Sequence, residues 1–100
     1  MSGNNRMTLT MTTSEKVRNN RLIKKYGITA QQYDTMVLEQ SGKCKICFRP
    51  PRTRRLSVDH NHKTGRVRSL LCTYCNKNLW WWERNKSCLV RMVQYLEEDT

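Results

Sequence analysis

Three features of this 100-residue chain predict a small α+β domain stapled by zinc: two Cys-x2-Cys pairs, a hairpin pattern looped out between them, and helical patterns on either side. A chain this short buries a small core and is often marginal without reinforcement. With 37% hydrophobic and 27% charged residues, the composition allows a fold but asks for a staple. One compact domain spanning residues 13–100 is expected, and the chain shows no internal repeat.

Taken in order, residues 1–13 (MSGNNRMTLTMTT) are polar and Thr-rich without periodicity, and read as a flexible arm. They lack the basic start and apolar core of a signal peptide. No segment approaches the roughly 20 apolar residues of a membrane span. A cytoplasmic location is the resulting expectation, and there paired cysteines are more often metal ligands than disulfides. Residues 14–42 are expected to form two helices. Ser14 can cap the first, which runs to about Tyr26 with Gly27 as its stop. Thr29 and Gln32 match the capping-box pattern for the second, in which Tyr33, Met36 and Val37 share a face and Ser41-Gly42 ends the run. Leu56 to His60 reads as a strand, Lys63-Thr64-Gly65 as a turn and Arg66 to Leu71 as the returning strand. A helix should begin near Thr73 or Tyr74. Residues 87–100 read as a last helix capped by Ser87, with Leu89, Val93 and Leu96 on its inner face.

The net charge of +11 is unevenly spread. From Lys43 to Lys86 there are twelve Lys/Arg against two acids, Asp59 and Glu83. Nearly the whole excess therefore lies in the segment that holds four of the five cysteines. Such a segment calls for a polyanionic partner, with nucleic acid first. It argues against a membrane-binding helix, because no segment pairs a basic face with a broad apolar one.

Cys44-x2-Cys47 and Cys72-x2-Cys75 are metal knuckles, each able to grip one tetrahedral zinc at ~2.3 Å with the other completing the site. The 24 residues between the pairs exceed the usual spacing, so the hairpin must be looped out between them. The alternatives are two disulfides or a redox pair. Cys88 is left over and reads as a small buried apolar residue.

The hairpin carries Asp59-His60-Asn61-His62. Strand alternation puts His60 and His62 on one side and Asp59 and Asn61 on the other, unless the turn twists them. Asn76 directly follows the last cysteine of the second knuckle, so zinc would fix the geometry between hairpin and helix. Individually, Asp59-His60 could support zinc and Asn76 could cap a helix. Together they supply what phosphodiester hydrolysis needs: an imidazole to activate water and hard oxygen ligands for magnesium or manganese. Asp59 is the only carboxylate expected near the site, which favours one-metal chemistry.

The run from Val58 through Asp59-His60-Asn61-His62, Lys63-Thr64-Gly65-Arg66-Val67-Arg68-Ser69-Leu70-Leu71-Cys72 and Cys75-Asn76 closely resembles the recombination endonuclease VII family of phage HNH nucleases. The resemblance covers roughly residues 43–80, with a weaker echo to Tyr95-Leu96. It implies a ββα-metal (His-Me finger) core over residues 43–86 with flanking helices. It also implies DNA cleavage with a divalent cation held by Asp59 and Asn76, His60 as general base and His62 as a supporting residue near the phosphate. The products would be a 5′-phosphate and a 3′-hydroxyl. The host cytoplasm would be the location of a phage-encoded protein. The chain departs from the family at Ser69, where glycine is common. It departs again at Leu79-Trp80-Trp81-Trp82, where the family often has Leu-Gly and a later acid.

Those three tryptophans span about 200° of a helix at roughly 100° per residue, so they cannot share one core. At least one is expected against the zinc module; a dimer seam and base stacking are the other roles considered. Arg52, Arg54, Arg55, Lys63, Arg66, Arg68 and Lys77 are the expected phosphate contacts, which position DNA without reading its sequence. The expected partner is double-stranded or branched DNA, with a homodimer or a phage protein partner beside it. The competing readings are a zinc-dependent nucleic-acid-binding module without catalysis and a zinc scaffold that binds protein.

Overall fold

The computed structural model describes residues 11–99, so residues 1–10 of the expected arm lie outside the described residues. Among the described residues, four helices and a two-stranded sheet follow one another: α1 (Thr13–Tyr26), α2 (Ala30–Glu39), β1 (Ser57–His60), β2 (Val67–Leu71), α3 (Thr73–Arg84) and α4 (Lys86–Glu98).

Helix α1 begins earlier than its expected cap. Thr12, not Ser14, takes the N-cap position: its hydroxyl accepts from the Glu15 N–H, and the Glu15 carboxylate accepts from the Thr12 N–H. This reciprocal pair satisfies two donors that the first turn leaves free. Gly27 closes the helix at φ 76°, a left-handed conformation that costs glycine little. Helix α2 opens with the expected Thr29–Gln32 box. The two helices are tied by an Ala30 N–H donated to Asn19 (2.8 Å) and an Arg18–Asp34 ion pair (2.9 Å).

The sheet is antiparallel, pairing Ser57 with Leu71, Val58 with Leu70 and Asp59 with Ser69, after which His60 pairs with Val67. Arg68 is therefore an extra residue on β2, a bulge of the kind that re-aims side chains and breaks strict alternation. The connecting turn is built by Asn61, whose side-chain oxygen accepts from the Lys63 and Thr64 N–H groups (2.8 and 3.1 Å).

The core is small. Tyr33, Cys44, Leu56, Val58, Leu70 and Leu71 are buried, flanked by Leu22, Tyr26, Met36, Val37 and Leu79. The Tyr33 hydroxyl donates to the Leu56 carbonyl and anchors α2 to the start of β1. Gln40 supplies a second anchor. Its side-chain amide exchanges two hydrogen bonds with the Leu70 backbone (2.9 and 3.0 Å) and donates to the Lys43 carbonyl (2.8 Å). Leu70 is fully buried, so Gln40→Ala removes the side-chain acceptor of its N–H, while its carbonyl still accepts from Lys45. We expect that substitution to cost about 1–3 kcal/mol, which lowers Tm by several degrees in a domain of this size. A melting curve that overlays the wild type would remove the anchor role.

Helices α3 and α4 bury none of their residues. The expected inner face of α4 faces solvent at Val93 (54%) and Leu96 (61%); among the described residues its main neighbour is α3. Its N-cap position is held by Asn85 rather than Ser87, without a side-chain cap bond. Trp80 and Trp81 are likewise about half exposed, and none of the three tryptophans is buried against the zinc module. Trp81 packs edge-on to Trp82 (4.7 Å), and the Arg84 guanidinium lies 4.1 Å from the centre of the Trp80 ring. Cys88 is half-buried with Arg91 donating to its sulfur, and so is no core residue.

A candidate metal centre and an adjoining cleft

The four knuckle cysteines converge from three parts of the chain. Cys44 and Cys47 lie in the loop after α2, Cys72 directly follows β2 and caps α3, and Cys75 lies in the first turn of α3. The Lys45 N–H donates to the Leu70 carbonyl (3.1 Å), which ties the first knuckle to β2. Within each pair a backbone N–H points at the leading sulfur: Ile46 to Cys44 and Cys75 to Cys72, both at 3.4 Å.

All four sulfurs lie within 4.8 Å of one another. A tetrahedron with zinc–sulfur bonds of ~2.3 Å has edges of roughly 3.8 Å; Cys47 and Cys72 stand 3.9 Å apart. That separation is far too long for a disulfide, and all five cysteines are free thiols. Burial opposes a charge on Cys44, but the N–H groups of Cys47, Cys72 and Ile46 outweigh it and bring the thiol down to about 6. Desolvation and hydrogen bonds with the neighbouring sulfurs push Cys75 up to about 12. One sulfur is thus favoured as a thiolate and another resists ionisation until a cation compensates it. These residues can hold a structural metal such as zinc.

A cleft of about 270 Å³ opens between the hairpin, the end of α1 and α3. Asp59, His60, His62 and Asn76 all line it, as do Tyr26 and Glu83. Regular alternation would separate Asp59 from His60; the bulge at Arg68 coincides with the step where both reach one cleft. His60 is half-buried, its ring stacked on His62 (4.7 Å) and tilted against Tyr26 (5.8 Å). Asn76 follows the second knuckle and is held in the first turn of α3 by its N–H bond to the Cys72 carbonyl (2.9 Å).

Asp59 is 6% exposed, and both of its oxygens accept from Arg68: Nε to Oδ2 at 2.7 Å and Nη2 to Oδ1 at 3.1 Å. The same guanidinium reaches Glu83 through Nη1 and Nη2, each at 3.4 Å. The hydrogen bond with Asp59 raises the Arg68 pKa further, and Arg68 in turn holds the Glu83 carboxyl below its ordinary range. Two points of the sequence reading change here. Asp59 is not the only carboxylate near the site. And Arg68, expected at a DNA phosphate, has its side chain on two carboxylates. Glu83 stands seven residues after Asn76, two helical turns along one face, a spacing that marks it in the sequence once α3 is assigned.

The remaining expected phosphate contacts are exposed: Arg52, Arg54 and Arg55 before β1, Lys63 and Arg66 in the turn, and Lys77 on α3. Arg55 also lines a second groove, of about 330 Å³, together with Arg18, Arg21 and Tyr26. No helix among the described residues is long and apolar enough to cross a membrane.

Recombination endonuclease VII is the family whose profile matches the chain, over residues 19–98. The Gene 59 protein of Mycobacterium phage D29 is 48% identical over 80 residues, covering 78% of this chain and 48% of that protein. The Gene 59 protein of Mycobacterium phage L5 is 46% identical over 80 residues, covering 76% and 48% respectively. The chain thus spans about half the length of the curated relatives it matches. No solved structure matches it.

Proposed function

The chain belongs to the recombination endonuclease VII family, and from that premise we propose that it is a metal-dependent DNA endonuclease of the HNH type that hydrolyses phosphodiester bonds in the cleft beside the cysteine cluster. One observation carries the reading: Asp59, His60, His62 and Asn76, contributed by two different elements, line a single cleft.

In this reading the hairpin and α3 form a ββα-metal core, with zinc at the four cysteines doing no chemistry. His60 removes a proton from the attacking water. Its ring is braced between Tyr26 and His62, so one imidazole nitrogen is presented in a fixed direction. Asp59 and Asn76 offer a carboxylate and an amide oxygen, hard donors suited to magnesium or manganese. When bound, such a cation stabilises the charge that develops on the phosphorane and on the leaving oxygen. His62 is exposed at the cleft, and in this reading it supports the phosphate. The exposed arginines and lysines around the hairpin hold the DNA backbone, and the products carry a 5′-phosphate and a 3′-hydroxyl.

The substrate is duplex or branched DNA, and the host cytoplasm is the place of action. A second copy of the chain or a phage protein as partner belongs to the same proposal, since α4 leaves Val90, Val93 and Leu96 exposed. The decisive experiment incubates zinc-loaded protein with supercoiled plasmid and a four-way junction, with magnesium, with manganese and with neither. Cation-dependent nicking or junction cleavage is the expected result. DNA left intact under all three conditions, with binding retained, would establish a zinc-dependent binding module instead.

A further inference from the structure

Arg68 places a positive charge on the carboxylate that, in the reading above, takes a divalent cation. Both oxygens of Asp59 accept from it. A cation approaching Asp59 must therefore displace the guanidinium or share the carboxylate with it at the cost of like-charge repulsion. A displaced guanidinium that keeps a carboxylate partner moves more easily than one released to water alone, although Arg68 is a third exposed. Glu83 resolves this. It already accepts from both terminal nitrogens of Arg68 at 3.4 Å, sharing Nη2 with Asp59, so the guanidinium has a second carboxylate to turn to.

We propose that Arg68 is a built-in stand-in cation that holds Asp59 until the divalent ion arrives, and that Glu83 is a positioning residue that draws Arg68 aside. The proposal rests on the reading that Asp59 and Asn76 hold the ion. The charges agree with it. Asp59, Arg68 and Glu83 together carry one net negative charge; a divalent ion turns this into one net positive charge, which a single DNA phosphodiester balances. Without Glu83 the occupied cleft would be more positive by one, and without Arg68 more negative by one. The two side chains should therefore act on ion affinity with opposite sign. An arginine that merely orients a ligating carboxylate would act with the same sign as Glu83.

The test is direct titration of the zinc-loaded full chain with manganese alone, read from the free-ion electron paramagnetic resonance signal. Asp59→Asn serves to locate the site. Glu83→Gln is expected to raise the manganese Kd about tenfold, in the range of residues that support metal ligands. Arg68→Met is expected to lower the Kd, and the double variant to return it towards the wild type. An unchanged Kd in Glu83→Gln overturns the proposal, as does weaker binding in a folded Arg68→Met. If Glu83 were itself a ligand, the double variant would not recover. Should Arg68→Met fail to fold with Asp59 unpaired, Arg68→Lys, which keeps a charge but loses the paired contact with Asp59, takes its place in the single and double variants. Plasmid nicking run in parallel separates the two levels. A wild type that binds manganese at Asp59 but leaves DNA intact defeats the nuclease reading and not this one. A wild type with no manganese site defeats this one.

Discussion

Replacing Cys72 by serine, or stripping the metal with a strong chelator, is expected to unfold the domain outright. Among the described residues only six form the buried hydrophobic core, and one of them is Cys44 itself. Cys72 directly follows β2, caps α3 and stands beside Cys47 in the cluster, so its loss severs the hairpin from the helix at their junction. Structural zinc supplies on the order of 10–16 kcal/mol of apparent binding energy to small domains, as much as or more than the roughly 5–15 kcal/mol net stability of an ordinary globular protein. Protons compete with the metal for every sulfur, so the zinc-bound fold should also weaken as the pH falls. Circular dichroism and tryptophan fluorescence should both lose their cooperative transition on chelation and regain it when zinc is added back. Cys88→Ser is the internal control: it lies outside the cluster and its sulfur accepts from Arg91, a bond a serine oxygen can also accept, so its melting curve should match the wild type. A chelated protein that melts cooperatively at the wild-type temperature would show that the cysteines are not the staple.

The same elements explain which features were legible in the sequence. The knuckles were legible because two cysteines two residues apart have few other uses in so short a chain, and the Thr29–Gln32 box because capping is a local interaction. The Thr12–Glu15 box is just as local, but it straddles the boundary of a polar stretch that reads as an arm. Longer-range features were less visible. Alternation separates Asp59 from His60, and nothing local announces the bulge at Arg68 where that rule breaks. The attachment of Gln40 to Leu70 spans thirty residues and follows no motif. The apolar pattern of α4 predicts a buried face, yet periodicity shows only that a face exists and not that this chain supplies its cover. The tryptophans failed for the same reason: α3 runs beyond the small core, so much of their surface stays in solvent.

His60→Ala should separate chemistry from folding more cleanly than any other substitution. A positioned general base contributes about 10²–10⁴-fold, and we expect nicking at saturating magnesium to fall by that factor. Stability should hardly change, because His60 is half-buried, makes only ring contacts with Tyr26 and His62, and ends a strand whose pairing is carried by backbone groups. Asp59→Ala would be a poorer choice, since it also leaves Arg68 without its stronger partner. Two further measurements make the assignment specific. Manganese affinity should stay near the wild-type value, because His60 is not among the proposed ligands. DNA affinity should stay near it as well, because the exposed lysines and arginines are untouched. His62→Ala should cost less, as a residue that supports the phosphate rather than removing the proton. If His60→Ala cuts DNA within about a factor of three of wild type, well below the contribution of a general base, the proton acceptor is another group. His62, stacked on His60 in the same cleft, is then the residue to test next.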